Sequence, residues 1–135
     1  MQDVARAEKA YLAGEYDQAI AIYEGASPEL KADLIDTISW AHNQKGNALY
    51  RLALLQDDDE AARLFQDSID EYARAVEIKS DMHEAFVNRG TALSQLARRK
   101  DGDEANHLSQ ESFDKYGRAV EIKPDYSDAL NNWGA

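Results

Sequence analysis

The chain has 135 residues, 44% of them hydrophobic, and carries a formal net charge of −11 from 26 acidic and 15 basic side chains. Its length fits one folded domain, and so acidic a surface repels polyanions, which excludes nucleic acid as a partner; the excess acid either attracts basic protein segments or simply keeps the surface solvated. With no cysteine there is no disulfide framework, no thiolate zinc site and no cysteine nucleophile.

The opening stretch MQDVARAEKAYLAGEY lacks a basic region followed by an apolar run, and nowhere do about 18 apolar residues follow one another, so neither a signal peptide nor a membrane span is expected. The cytoplasm is the default compartment. Glycine and proline are few and β-branched runs are absent, so the composition favours helices throughout.

The spacing predicts a helix over 2–13 with Val4, Ala7, Ala10 and Tyr11 on one face, stopped by Gly14 because glycine enters the left-handed conformation cheaply. A second helix, Tyr16 to Gly25, carries Ala19, Ile20, Tyr23 and, just beyond, Ala26, and the two pair as a short hairpin. Ser27-Pro28-Glu29 is a start signal: the serine caps, the proline sits where its missing N–H costs nothing, and the acid faces the positive helix end. One long helix then follows Leu34, Ile38, Ala41, the Lys45 stem, Ala48, Leu49, Leu52 and Leu55 up to Gln56, with a break near Asp36 to Ser39 as the alternative.

Asp57 with Glu60 and Asp81 with Glu84 have capping-box spacing, and Asp101-Gly102-Asp103-Glu104 opens a further helix in the same way; none continues into the glycine and distal glutamate of a calcium loop. The inward residues are Ala61, Leu64, Phe65, Ser68, Ile69, Tyr72, Ala75 and Val76, then Ala85, Phe86, Gly90, Leu93, Leu96 and Ala97, then Ala105, Leu108, Ser112, Phe113, Tyr116, Ala119 and Val120. Arg98-Arg99-Lys100 complements a negative helix end. After Pro124, Asp125 and Asp128 open a last helix, of whose inner face Ala129, Leu130, Trp133 and Gly134 are present.

Residues 57–91 laid on 101–135 without a gap share 19 identities in 35 positions, where unrelated sequences would share about 2. A period of 44 residues signals units that bury their apolar faces against each other. Small residues fall at Gly46, Gly90 and Gly134; Ser68-Tyr72-Ala75 and Ser112-Tyr116-Ala119 repeat a small, aromatic, small spacing, and Ala7, Ala19, Tyr23 and Ala26 fill these places near the N-terminus. This pattern resembles the tetratricopeptide repeat, a helix-turn-helix unit of about 34 residues. The resemblance implies an all-α, right-handed α-solenoid of antiparallel helix pairs: a short first repeat over 2–26, a second over 36–79, a third over 80–123 and a partial fourth or cap over 124–135. Gly46 to Ser68 and Gly90 to Ser112 each span 22 residues, against about 12 in the ordinary repeat. The extra residues read as about 1.5 turns added to each helix, because Leu52, Leu55, Leu64 and Phe65 carry the apolar faces through the insertion.

The resemblance further implies a protein-protein interaction scaffold that takes an extended peptide or a partner helix in the groove lined by the first helix of each unit. The groove residues are then Asn43, Gln44, Asn47, Tyr50 and Arg51 in the second unit and Val87, Asn88, Thr91, Ser94 and Gln95 in the third. Amides suit backbone recognition since they both donate and accept, though a merely polar, solvated face reads the same way. The family's chaperone-binding subclass holds a carboxylate with lysines, an arginine and two asparagines. Asn47 and Asn88 match, but Asn43, Asp128 and Asn132 stand where cations are needed, so that subclass is rejected. His42, His83 and His107 share no metal-ligand spacing, and there is no serine elbow or phosphate-cradling glycine loop, so neither an enzyme nor a cofactor or metal is expected. The expected partner is a protein or peptide, with a preference for basic segments; membrane is not expected. The alternative function is self-association by end-to-end stacking. The motif stops partway, so the sequence reads as a piece of a longer array or as an open end that docks on another copy through Leu130 and Trp133.

Overall fold

Six helices carry residues 2–125, the part of the chain that this computed structural model describes, and among these residues all regular structure is helical. None of the six is long and apolar enough to cross a membrane. The expected fourth unit, with Leu130, Trp133 and Gly134, lies outside the described residues.

Helices α1 (Gln2–Leu12) and α2 (Tyr16–Glu24) pack on each other and on α3 (Pro28–Ala53) around Ala7, Ala10, Ala19, Leu34 and Ile38. Gly14 ends the first helix with φ of +79°, where its N–H reaches the Tyr11 carbonyl at 3.0 Å and that of Glu15 reaches Ala10 at 2.9 Å. Ser27 caps α3, its hydroxyl accepting from the Leu30 N–H at 3.3 Å, with Pro28 in the first turn. The helix passes through Asp36–Ser39 unbroken, so nothing interrupts it at residue 36, and it ends at Ala53, short of the expected Gln56.

The expected capping boxes do not form. Asp57 and Asp101 stand at the N-caps of α4 (Asp58–Ile78) and α6 (Gly102–Ile122), but neither side chain accepts a backbone hydrogen bond. They contribute only as charge near the positive helix end. Helix α5 (His83–Ala97) begins behind Met82, not Asp81. Met82 is buried against Ala75 and Ala85, beside Trp40 and Val76, and placing that apolar side chain in the core displaces the acid from the cap.

Tyr50 meets the Phe65 ring, Gly46 accepts from Ser68 and His42 pairs with Glu71, so residue numbers rise along α3 as they fall along α4, and the two are antiparallel. The same holds for α5 and α6, where Gly90 accepts from Ser112 and Arg118 lies over Phe86. Tyr72 and Tyr116 are buried, each against the glycine of its own pair. The main core joins Ala53, Ala61, Leu64, Phe65, Ile69, Tyr72, Ala92, Leu93 and Leu96 from α3, α4 and α5. Four inward assignments fail. Phe113 is 46% exposed because among the described residues α6 packs on α5 alone, leaving bare the side that corresponds to the covered side of α4, and Ala48, Leu52 and Leu55 are exposed instead of continuing the α3 face inward.

Candidate functional site

Helices α3 and α5 bring the nominated groove residues together, and in doing so use several of them up. Asn88 donates its amide to Asn43 Oδ1 at 3.0 Å, and Gln95 donates to the Tyr50 hydroxyl at 3.4 Å. Asn43 is 2% and Val87 5% exposed, so neither offers a side chain to a ligand; both are corrections to the expected lining. Asn43 is buried as half of that satisfied pair between α3 and α5, whereas Val87 packs with Phe86 against Tyr116 and Ala119 of α6. Asn47 accepts from Tyr72 at 2.6 Å and donates to Gln44 at 3.1 Å. Thr91 bonds its own helix through Val87 O at 3.0 Å and shares a 2.8 Å hydrogen bond with the Tyr116 hydroxyl.

What stays available is Gln44, one side of Asn47 and of Asn88, Ser94, and the exposed Arg51. Beside them lies an open cavity of about 350 Å³ between α5 and α6, lined by Thr91, Ser94, Gln95, Arg98, Ser109 and Ser112 among others. Its cause is legible one repeat back. Tyr50 and Phe65 stack edge to face at 5.3 Å in the α3–α4 pair, and the residues 44 positions on are Ser94 and Ser109, which leave that volume empty. The nominated residues carry no carboxylate. The negative charge of the molecule therefore lies around the groove and not in it.

No family model matches this chain, and no curated protein is significantly similar to it.

A polar cluster that the sequence did not announce ties three helices together. His42 Nδ1 lies 2.8 Å from Glu71 Oε1, and Lys45 Nζ bridges Glu71 Oε2 at 3.7 Å and Asp17 at 2.6 Å. A charged residue outside the apolar face of an amphipathic helix is expected in solvent, yet the Glu71 side chain is 15% exposed. Burial pushes its carboxyl up, but the His42 hydrogen bond and the Lys45 charge outweigh burial and hold it below the ordinary carboxylate value. Lys45 is raised, chiefly by its hydrogen bond to Asp17 and against its partial burial. The other two histidines are peripheral, His83 beside Glu84 at 3.1 Å and His107 beside Glu111 at 4.0 Å. Among the described residues no group of three His, Cys, Asp or Glu could hold a metal ion.

A carboxylate whose folded value is depressed contributes stability that is complete above its unfolded value and is lost as the pH falls through the folded one. Glu71→Gln should therefore lie below the wild type in melting temperature near neutral pH, with the gap closing below about pH 4. A gap of constant size from neutral to acid would show that the cluster acts through packing alone.

Proposed function

We propose that the chain is a tetratricopeptide-like array that serves as an interaction scaffold, holding an extended segment of a partner along the face of α3 and α5. The observation that carries this reading is the parallel, one-repeat offset of the two helices: Asn43 pairs with Asn88 and Tyr50 with Gln95, each 45 residues apart. Stacked units of a solenoid place their first helices side by side in this way and so build one continuous surface. Gln44, Asn47, Asn88 and Ser94 supply donors and acceptors for a peptide backbone along that surface, and the cavity at Ser94 and Ser109 receives one side chain. The net charge of −11, which lies outside a groove whose own charges are Arg51 and Arg98, favours a segment with basic residues through a long-range field that salt screens.

The test fills the cavity with the aromatic pair that the chain itself uses one repeat earlier. Ser94→Tyr with Ser109→Phe should weaken binding of a lysine-rich extended peptide by about tenfold or more in isothermal titration while the fold is kept. A matched acidic peptide should bind less well at low salt, and the difference should shrink as salt rises. If the filled variant binds every peptide as the wild type does, the groove is not the site.

A further inference from the structure

The α3–α4 and α5–α6 pairs are built on one frame. Ser68 donates to the Gly46 carbonyl at 2.8 Å and Ser112 to that of Gly90 at 2.7 Å, and the rings of Tyr72 and Tyr116 lie against those two glycines in the same way. A volume that side chains fill in the first pair therefore has its counterpart in the second. In α3–α4 that volume holds two rings, Tyr50 and Phe65, edge to face at 5.3 Å. The Tyr50 hydroxyl accepts from Gln95 at 3.4 Å, and the Arg99 guanidinium lies 4.8 Å from the centre of the Phe65 ring. In α5–α6 the same frame carries Ser94 and Ser109, and the space is the open cavity of about 350 Å³.

The walls of the cavity select its occupant. Ser112 and Tyr116 are buried at its floor, and their hydroxyls are already engaged, one with the Gly90 carbonyl and the other with Thr91 at 2.8 Å. What the floor offers is the Tyr116 ring. Exposed Arg98, Ser109 and Phe113 form the rim. A carboxylate drawn to Arg98 would stop at that rim and leave the floor bare. We propose that the cavity receives an aromatic side chain of the segment held along α3 and α5, an inference that rests on the groove reading above and names the residue class that anchors the segment. The ring takes the volume that Tyr50 and Phe65 occupy one repeat earlier and packs against Tyr116 and Phe113. The Arg98 guanidinium at the rim reaches its face, the kind of contact that Arg99 makes with Phe65. Ser94 and Ser109 offer hydroxyls to a phenol, which makes tyrosine the probe of choice.

Extended peptides of lysine and alanine, in which one alanine at a time is exchanged for tyrosine, leucine or glutamate, test this by isothermal titration. At one position tyrosine should raise affinity over alanine by about tenfold, and by more than leucine does. Ser94→Tyr with Ser109→Phe, which restores the two rings, should bring the tyrosine and alanine peptides to equal affinity. Arg98→Gln, at an exposed position, should lower the ratio of the two affinities without refilling the cavity. Circular dichroism melts matching the wild type will show that both variants are folded. A tyrosine gain that survives the filled variant, or a leucine gain as large, would overturn the proposal. So would a glutamate peptide that binds best and loses its advantage on Arg98→Gln, since the occupant would then be an anion. If all the peptides bind alike, the groove stands and the cavity is not its anchor; if none binds, the groove reading fails and this inference with it.

Discussion

Tyr72→Ala should lower folding stability by about 3–5 kcal/mol, read as a fall in the urea midpoint at unchanged slope. A loss of that size is a large share of what a domain of this length possesses. The ring is 2% exposed, within the core that joins α3, α4 and α5 through Phe65, Ile69, Leu93 and Leu96. Truncation opens a cavity that surrounding helices cannot collapse into without breaking the Ser68 to Gly46 hydrogen bond of 2.8 Å beside it. The hydroxyl adds less. It donates to Asn47 Oδ1 at 2.6 Å, and burial pushes the phenol up to about 12, so it stays a donor through the neutral range. Tyr72→Phe, which keeps the ring, should therefore cost about 1 kcal/mol. Tyr116→Ala should cost less than Tyr72→Ala, because its cluster is the smaller one of Phe86, Val87 and Ala119. A loss below about 1 kcal/mol for Tyr72→Ala, the level of an ordinary surface change, is incompatible with this packing.

Much of this is legible in the sequence alone. The helical class, the Ser27 cap, the Gly14 stop and the burial of Ser68, Tyr72, Ser112 and Tyr116 follow from periodicity and from the repeat, because each depends on residues near in sequence or one period away. What was missed depends on which unit lies next to which. Leu52 and Phe113 look apolar and inward by period, but their exposure is decided by whether a neighbouring helix reaches them. A charge on an amphipathic helix is usually solvated, but the burial of Glu71 is set by His42 and Lys45 on another helix. The groove failed in an instructive way. Counting from the glycines nominates Asn43 and Val87, yet Asn43 is taken up by its contact with Asn88 across α3 and α5, and Val87 packs against Tyr116 and Ala119 of α6. The empty volume at Ser94 and Ser109 was legible in principle, as two serines facing the positions of Tyr50 and Phe65 one repeat earlier, but only with the antiparallel pairing in hand.

Gly46→Ala should destabilise the protein by about 1–3 kcal/mol even though alanine is the better helix former by roughly 1 kcal/mol. A Cβ built on Gly46 would lie 2.6 Å from Cε1 and 2.8 Å from Cδ1 of Tyr72, distances at which one of the two must move. The ring has no free direction, being buried and held by its hydroxyl at Asn47, so the helices themselves must part and the Ser68 hydrogen bond to the Gly46 carbonyl must stretch. The clash is with one side chain, and this makes a double-mutant cycle decisive. In a Tyr72→Ala background the added methyl meets no ring, the helix preference of alanine is released, and Gly46→Ala should become neutral or stabilising by up to about 1 kcal/mol. The coupling between the two positions should then be about 2 kcal/mol or more, far above the few tenths expected of independent sites. Simple additivity of the two substitutions would mean that the glycine is kept for its backbone and not for the ring, and that the close crossing of α3 and α4 does not depend on their contact.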